Sequence, residues 1–248
     1  APPPSGRTCP PAAAPPLKKS RAPTRRICGA IAPYYDLLNH LLSLNIDRRW
    51  RARTVQLVPP RGTEPILDLC TGTGDLALAY HQAGAGAVPV VAADFCAPML
   101  DRATRKRAPS TGPRWVQADA QRLPFPSDSF QIVAVAFGLR NVADTDAGLA
   151  EMVRVLRPGG RLAILEFSRP RHPLLGQLYR GYFTHILPRI GQTISGSPDR
   201  AYDYLPASVL QFPDGEVLAD RLRHHGLVHV RFEPLTFGIA SLYVGEKA

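Results

Sequence analysis

The sequence predicts an α/β fold on a doubly wound sheet, from three observations. From Pro65 onward, short apolar runs alternate with helix-length segments; the first run opens into a glycine-rich turn; two apolar runs close the chain with few residues between them. Such alternation is the rhythm of βαβ crossovers, and a short connection forces an antiparallel pair. Residues 1–26 hold eight of the 26 prolines and are expected to be an extended or disordered Pro/Ala/Arg-rich segment. The methionine-poor chain then becomes one domain over residues 27–248. Within 27–60, Ile31, Tyr34, Leu37, Leu38, Leu41, Leu42 and Leu44 recur at steps of three and four, the period of amphipathic helices, and precede Arg48, Arg49, Arg51 and Arg53. Strands are expected at Ile66 to Cys70, Val88 to Ala93, Trp115 to Ala118, Phe130 to Phe137 and Arg161 to Phe167. Helices are expected after Gly74, from Pro98, and up to Leu156, where Arg157-Pro158-Gly159-Gly160 turns the chain. Residues 173–213 read as an aromatic-rich helical insertion. A helix from Asp214 to His225, stopped by Gly226, then precedes strands at Val228 to Phe232 and Ile239 to Gly245.

Composition narrows the function. A 27.0 kDa chain with 45% hydrophobic residues can bury a large core, yet no run reaches the roughly 18 to 20 apolar residues that span a bilayer. Cys9, Cys28, Cys70 and Cys96 form no CxxC pair, which favours a reducing compartment over a disulfide scaffold and argues against structural zinc. Six of the 30 basic residues and none of the 20 acids lie in residues 1–26, so the net charge of +10 falls to +4 for the rest. Nucleic acid is therefore not the expected partner. The acid-free segment is either a plain extension or a transit remnant, so a cytoplasmic location at the inner face of a membrane is expected, with an organelle as the alternative.

The informative string is Leu67-Asp68-Leu69-Cys70-Thr71-Gly72-Thr73-Gly74-Asp75, a strand running into a glycine turn and a helix. Glycine lets backbone approach a ligand, but Asp75 at the helix start disfavours a pyrophosphate there. It suits a ligand with a cationic or neutral centre, such as the sulfonium and amino-acid part of S-adenosylmethionine. Asp94 follows Gly74 by 20 residues, where a carboxylate reaches both ribose hydroxyls. Asp119-Ala120, after a third strand, is placed to read an adenine edge. Each acid alone has a structural alternative as a strand-end or helix-capping residue; three at successive strand ends favour the nucleoside site.

Here the chain resembles class I S-adenosylmethionine-dependent methyltransferases, and more narrowly the ubiquinone/menaquinone biosynthesis C-methyltransferase family. The resemblance runs from about Ile27 to the C-terminus. It includes Tyr35-Asp36-Leu37-Leu38-Asn39 through Trp50, LDLCTGTGD from Leu67, LPFPSDSF from Leu123, FGLRNV from Phe137, RVLRPGGRL from Arg154, LEFSRP from Leu165 and LPRIG from Leu187. It implies a Rossmann-like seven-stranded sheet with its last strand antiparallel, S-adenosylmethionine as cofactor, and a polyprenylated quinol as substrate. It assigns cofactor contacts to Thr73, Asp94, Asp119 and Ala120, to which the glycine-turn string adds Asp68, Gly72 and Gly74 as cofactor candidates. Two departures are visible: Ala136 stands where many members carry a serine, and Cys28-Gly29-Ala30 replaces a bulkier aromatic start.

Methylating a ring carbon needs an electron-rich quinol, best as its phenolate, held in line with the methyl group. Arg140, at the mouth of the fourth strand, is the candidate for stabilising the oxyanion, since a guanidinium keeps its protons at neutral pH. Its alternative is an ion pair with Asp144 or Asp146. Tyr35 joins it as a catalytic candidate, and Asn39, Phe137 and Asn141 are substrate candidates. No metal is expected. His40 and His185 read as packing or surface residues and Cys70 as a small apolar one. A prenyl tail leaves the bilayer at a cost of roughly 0.8 kcal/mol per methylene, so peripheral contact with an anionic membrane is expected, through the leucines and arginines of residues 37–53. The sequence leaves a homodimer open. Rival readings are a methyltransferase of another lipophilic acceptor such as a sterol, an RNA-binding or RNA-modifying protein, and an inactive cofactor-binding scaffold.

Overall fold

The computed structural model describes Ser43 and residues 45–106, 112–171, 176, 177, 181 and 208–248. The segment 1–26, Tyr35, Asn39, His40, His185 and most of the insertion at 173–213 lie outside the described residues. In chain order the elements are α1 (Ile46–Leu57), β1 (Ile66–Leu69), α2 (Asp75–Ala83), β2 (Val90–Asp94), α3 (Ala97–Arg105), β3 (Arg114–Gln117) and β4 (Phe130–Ala136). A 3₁₀ turn (Leu139–Asn141) leads to α4 (Thr145–Val155) and β5 (Leu156–Phe167); then come α5 (Glu216–His224), β6 (Leu227–Leu235) and β7 (Ala240–Lys247).

The strands form one seven-stranded sheet in the order β3-β2-β1-β4-β5-β7-β6. Strands β1 to β5 pair in parallel, and β7 runs antiparallel to both β5 and β6. The topology reverses between β1 and β4, which opens a crevice at the carboxyl ends of these strands. The Arg157-Pro158-Gly159-Gly160 stretch belongs to β5 instead of breaking it, with a register irregularity between Phe130 and Ile132 absorbing the extra residues.

Strand alternation sorts side chains to two cores. Leu67, Leu69, Val133 and Val135 meet Leu149, Met152 and Val155 of α4 and Leu218, Ala219 and Leu222 of α5. Ile66, Ala92, Ile132 and Ala134 meet Leu76, Ala77 and Tyr80 of α2 and Trp50 of α1 on the other face. Both faces of β1 and nearly all of β4 are buried, which is why these strands are continuous apolar runs. Asp144 caps α4, its carboxylate accepting the N–H groups of Asp146 and Ala147 at 3.1 and 3.0 Å. No helix among the described residues is long and apolar enough to cross a membrane.

Leu149 is fully buried against the sheet. Leu149→Ala is expected to destabilise the fold by about 2 to 5 kcal/mol, read from denaturant midpoints; a loss below 1 kcal/mol would show that this interface collapses around the gap.

Candidate active site

At the end of β1 the chain turns through left-handed backbone, with φ of 54° at Cys70, 57° at Gly72 and 87° at Gly74. Gly74 is required twice, by that φ and because a Cβ would collide with the Trp115 ring. The turn is pinned by the Thr71 N–H donating to the Ala93 carbonyl at 3.1 Å and the Gly74 N–H to the Thr71 carbonyl at 2.9 Å.

Three acids border this turn. Asp68 is 1% exposed. Its Oδ2 accepts the Thr71 hydroxyl at 2.5 Å, whereas its buried Oδ1 has no hydrogen-bond partner. Burial raises the Asp68 pKa to about 7, opposed by hydrogen bonds from the Thr71 hydroxyl and the Ala77 backbone N–H and by the Arg51 charge, and reinforced by Asp94. Asp94 closes β2, its Oδ2 accepting the Gly72 N–H and its Oδ1 the Cys96 N–H, each at 2.8 Å. Burial pushes the Asp94 pKa up, against the pull of those N–H donors. Each oxygen has capacity beyond its backbone donor, so Asp94 can tie the turn together and still accept a hydroxyl. Asp119 Oδ1 accepts the Gln121 N–H at 2.9 Å and its amide at 3.1 Å, and Ala120 beside it is buried.

Thr73 is buried, and its hydroxyl accepts from Lys106 Nζ at 3.0 Å; the same ammonium pairs with Asp75 Oδ1 at 2.7 Å. This corrects the sequence argument: Asp75 is charge-compensated, so Asp68 and Asp94 are the acids that make the turn hostile to a pyrophosphate. Lys106 sits 31 residues from Asp75 and carried no local signal.

Beside the turn, β4 gives way to Phe137 in left-handed backbone, φ 59°, its N–H donating to the Leu165 carbonyl at 2.8 Å. Its ring lies 4.5 Å from Phe167 and 5.9 Å from Trp50, and the Arg51 guanidinium sits 5.6 Å over it. Trp50 is fixed by its indole N–H donating to Thr236 at 2.9 Å. These rings form an aromatic wall. The Asn141 N–H donates to the Gly138 carbonyl at 3.0 Å, closing the turn that presents Arg140.

Arg140 is 7% exposed and pairs with neither Asp144 nor Asp146. Its Nη1 donates to Glu166 Oε2 at 2.9 Å and to the Phe137 carbonyl, and its backbone N–H donates to Glu166 Oε1 at 3.1 Å. Its guanidinium carbon lies 5.3 Å over the Phe167 ring. Asp146 instead pairs with Arg221 and His225. Glu166 and Phe167 were legible only as part of the LEFSRP string; the available signal was a carboxylate inside an apolar strand. Of the four front arginines, Arg51 is buried against Asp47 and Arg53 pairs with Glu233, which leaves Arg48 and Arg49 exposed.

The residues present fit S-adenosylmethionine. A buried carboxylate oxygen lacks a partner at Asp68, a turn at Gly74 has no room for a side chain, and acids surround the place of a cationic ligand. Fold and site together define a class I S-adenosylmethionine-dependent methyltransferase. The family model of the ubiE/COQ5 methyltransferase family matches residues 17–247, and this chain belongs to that family. It is 50% identical over 218 residues to the demethylmenaquinone methyltransferase of Thermus thermophilus, covering 88% of this chain and 98% of that one. It is 48% identical over 219 residues to the demethylmenaquinone methyltransferase of Deinococcus radiodurans, covering 88% and 90%. The fold is shared with an S-adenosylmethionine-dependent methyltransferase of Thermotoga maritima at TM-score 0.66 and 18% identity, covering 91% of this chain and all of that one.

A cationic ligand favours an ionised Asp68, so S-adenosylmethionine affinity is expected to rise with pH through about 7 and to flatten in Asp68→Asn, by calorimetric titration. The sign for folding is opposite. A carboxyl raised from 3.8 to about 7 costs stability increasingly as pH climbs through that window, so Asp68→Asn should gain stability relative to the parent there. Parallel pH curves for the two proteins would refute both expectations. Asp94→Ala should weaken cofactor binding at least tenfold, because it also frees the Gly72 and Cys96 N–H groups.

Proposed function

We propose that this enzyme transfers a methyl group to a ring carbon of a polyprenylated naphthoquinol, converting demethylmenaquinol to menaquinol at a membrane surface. The carrying observation is Arg140, held beside the aromatic wall of Trp50, Phe137 and Phe167, on a loop that abuts the glycine turn. An apolar aromatic wall with a cationic donor beside it suits a ring bearing a developing oxyanion. The two demethylmenaquinone methyltransferases at 48% and 50% identity support the naphthoquinol. A relative from Citrifermentans bemidjiense, 44% identical and named for both ubiquinone and menaquinone biosynthesis, supports a second reading in which a benzoquinol is also accepted.

When bound, S-adenosylmethionine supplies an electrophilic methyl group. Asp68, Gly72, Thr73, Asp94, Asp119 and Ala120 would hold it at the carboxyl edge of the sheet. The aromatic wall orients the quinol ring and excludes water, and Arg140 stabilises negative charge on the ring oxygen as the adjacent carbon becomes nucleophilic. Tyr35 and Asn39 remain candidates for positioning the ring. The exposed Arg48 and Arg49 and the tip residue Phe237, 78% exposed, support peripheral contact with anionic lipid. That contact carries the proposed cytoplasmic, membrane-facing location.

Methyl transfer from labelled S-adenosylmethionine to reduced demethylmenaquinone and to a demethylated benzoquinol, side by side in detergent, tests the reading. Label in the naphthoquinol alone supports it, label in both supports the dual reading, and label in neither overturns both. Arg140→Lys keeps the charge but loses the planar fork; kcat is expected to fall about 10²-fold or more, with cofactor Kd changed less than threefold.

A further inference from the structure

Glu166 is 1% exposed near the carboxyl end of β5, directly after the apolar run Leu162 to Leu165. A buried carboxylate is costly unless its lone pairs are spent, and here both oxygens are spent on one neighbourhood. Oε1 accepts the Arg140 N–H at 3.1 Å; Oε2 accepts Arg140 Nη1 at 2.9 Å and the Phe167 N–H at 3.2 Å. Arg140 Nη1 is fully engaged, by Glu166 and by the Phe137 carbonyl. Nε, although buried, has no partner, and the side-chain hydrogen bonds that Arg140 donates among the described residues all come from Nη1, none from Nη2. The Nε–Nη2 edge, the fork that binds an oxyanion with two parallel N–H bonds, is thus the unspent part of the guanidinium.

The loop carrying Arg140 is pressed onto the cofactor turn: a side chain at Gly138 would collide with Cys70 Cβ. A cation held so near a site for a sulfonium would repel its own cofactor. On the reading of the site given above, the enzyme has to place oxyanion donors beside a cationic ligand without placing net positive charge there. We infer that Glu166 is the positioning residue that achieves this: it cancels the Arg140 charge and holds Nη1, so that Arg140 offers donors to the acceptor's oxyanion while the neighbouring cofactor meets a neutral pair.

The cofactor and its demethylated product test this directly, because S-adenosylmethionine carries the sulfonium charge and S-adenosylhomocysteine does not. Glu166→Gln keeps shape and an acceptor oxygen but uncovers the arginine charge. Its Kd for S-adenosylmethionine is expected to rise about tenfold, with Kd for S-adenosylhomocysteine within twofold of the parent. The double variant Glu166→Gln with Arg140→Gln removes both charges and should return the ratio of the two Kd values to that of the parent. Thermal unfolding of each variant separates loss of fold from loss of charge balance. Equal weakening of both ligands, an unchanged ratio in Glu166→Gln, or failure of the double variant to restore the ratio would each overturn the inference. The ratio needs no acceptor: a shifted ratio in an enzyme that methylates no quinol supports the charge balance while the acceptor reading fails by itself.

Discussion

The constraint on which the rest of the structure depends is the close approach of two backbone turns at the carboxyl edge of the sheet. The turn after β1 and the turn after β4 pack so tightly that Gly138 has no room for a Cβ against Cys70, and on its other side the β1 turn presses on β3, where Gly74 has no room for one against Trp115. Because β1 and β4 are hydrogen-bonded neighbours at the point where strand order reverses, these turns share one crevice. Backbone, not side chain, therefore forms the floor of the site, and a ligand can lie close to it. Left-handed conformations at Cys70 and Phe137, costly for residues with side chains, mark the same edge.

Around that floor, charge is handled by burial and compensation. Asp68 and Asp94 are buried acids whose carboxyls are pushed up by desolvation, leaving a demand for a cationic partner. The basic groups nearby are answered internally: Arg51 by Asp47, Lys106 by Asp75, and Arg140 by Glu166. A site with unsatisfied acids and satisfied bases is selective for a positively charged ligand. The partly exposed pairs elsewhere, such as Arg53 with Glu233, add little by comparison.

Much of this was legible beforehand because it follows from local rules. Short apolar runs bounded by turn residues located each strand of the sheet to within a few positions, apart from the start of β5, and the Asp68 to Gly74 string announced its turn because positive φ selects glycine. The largest departure was β5, where Pro158-Gly159-Gly160 reads as a turn but continues the strand, since pairing with β4 and its irregularity overrides local propensity. Arg140 stood out in its string, but the sequence offered only the nearby Asp144 and Asp146 as ion-pair alternatives, and the structure pairs it with Glu166, as proximity along the chain says little about which carboxylate a crossover strand delivers.

What the sequence by itself determined is the fold class and the glycine turn with the acids around it, because those rest on periodicity and on backbone conformations that only certain residues tolerate. What only the tertiary structure decided is the electrostatic pairing of the site: Lys106 onto Asp75 across 31 residues, Glu166 onto Arg140 across 26, and Trp50 onto Phe137 and Phe167 from the far end of the domain. Such contacts join elements that are distant in sequence, and Coulomb and aromatic interactions act through space, so no local pattern encodes them.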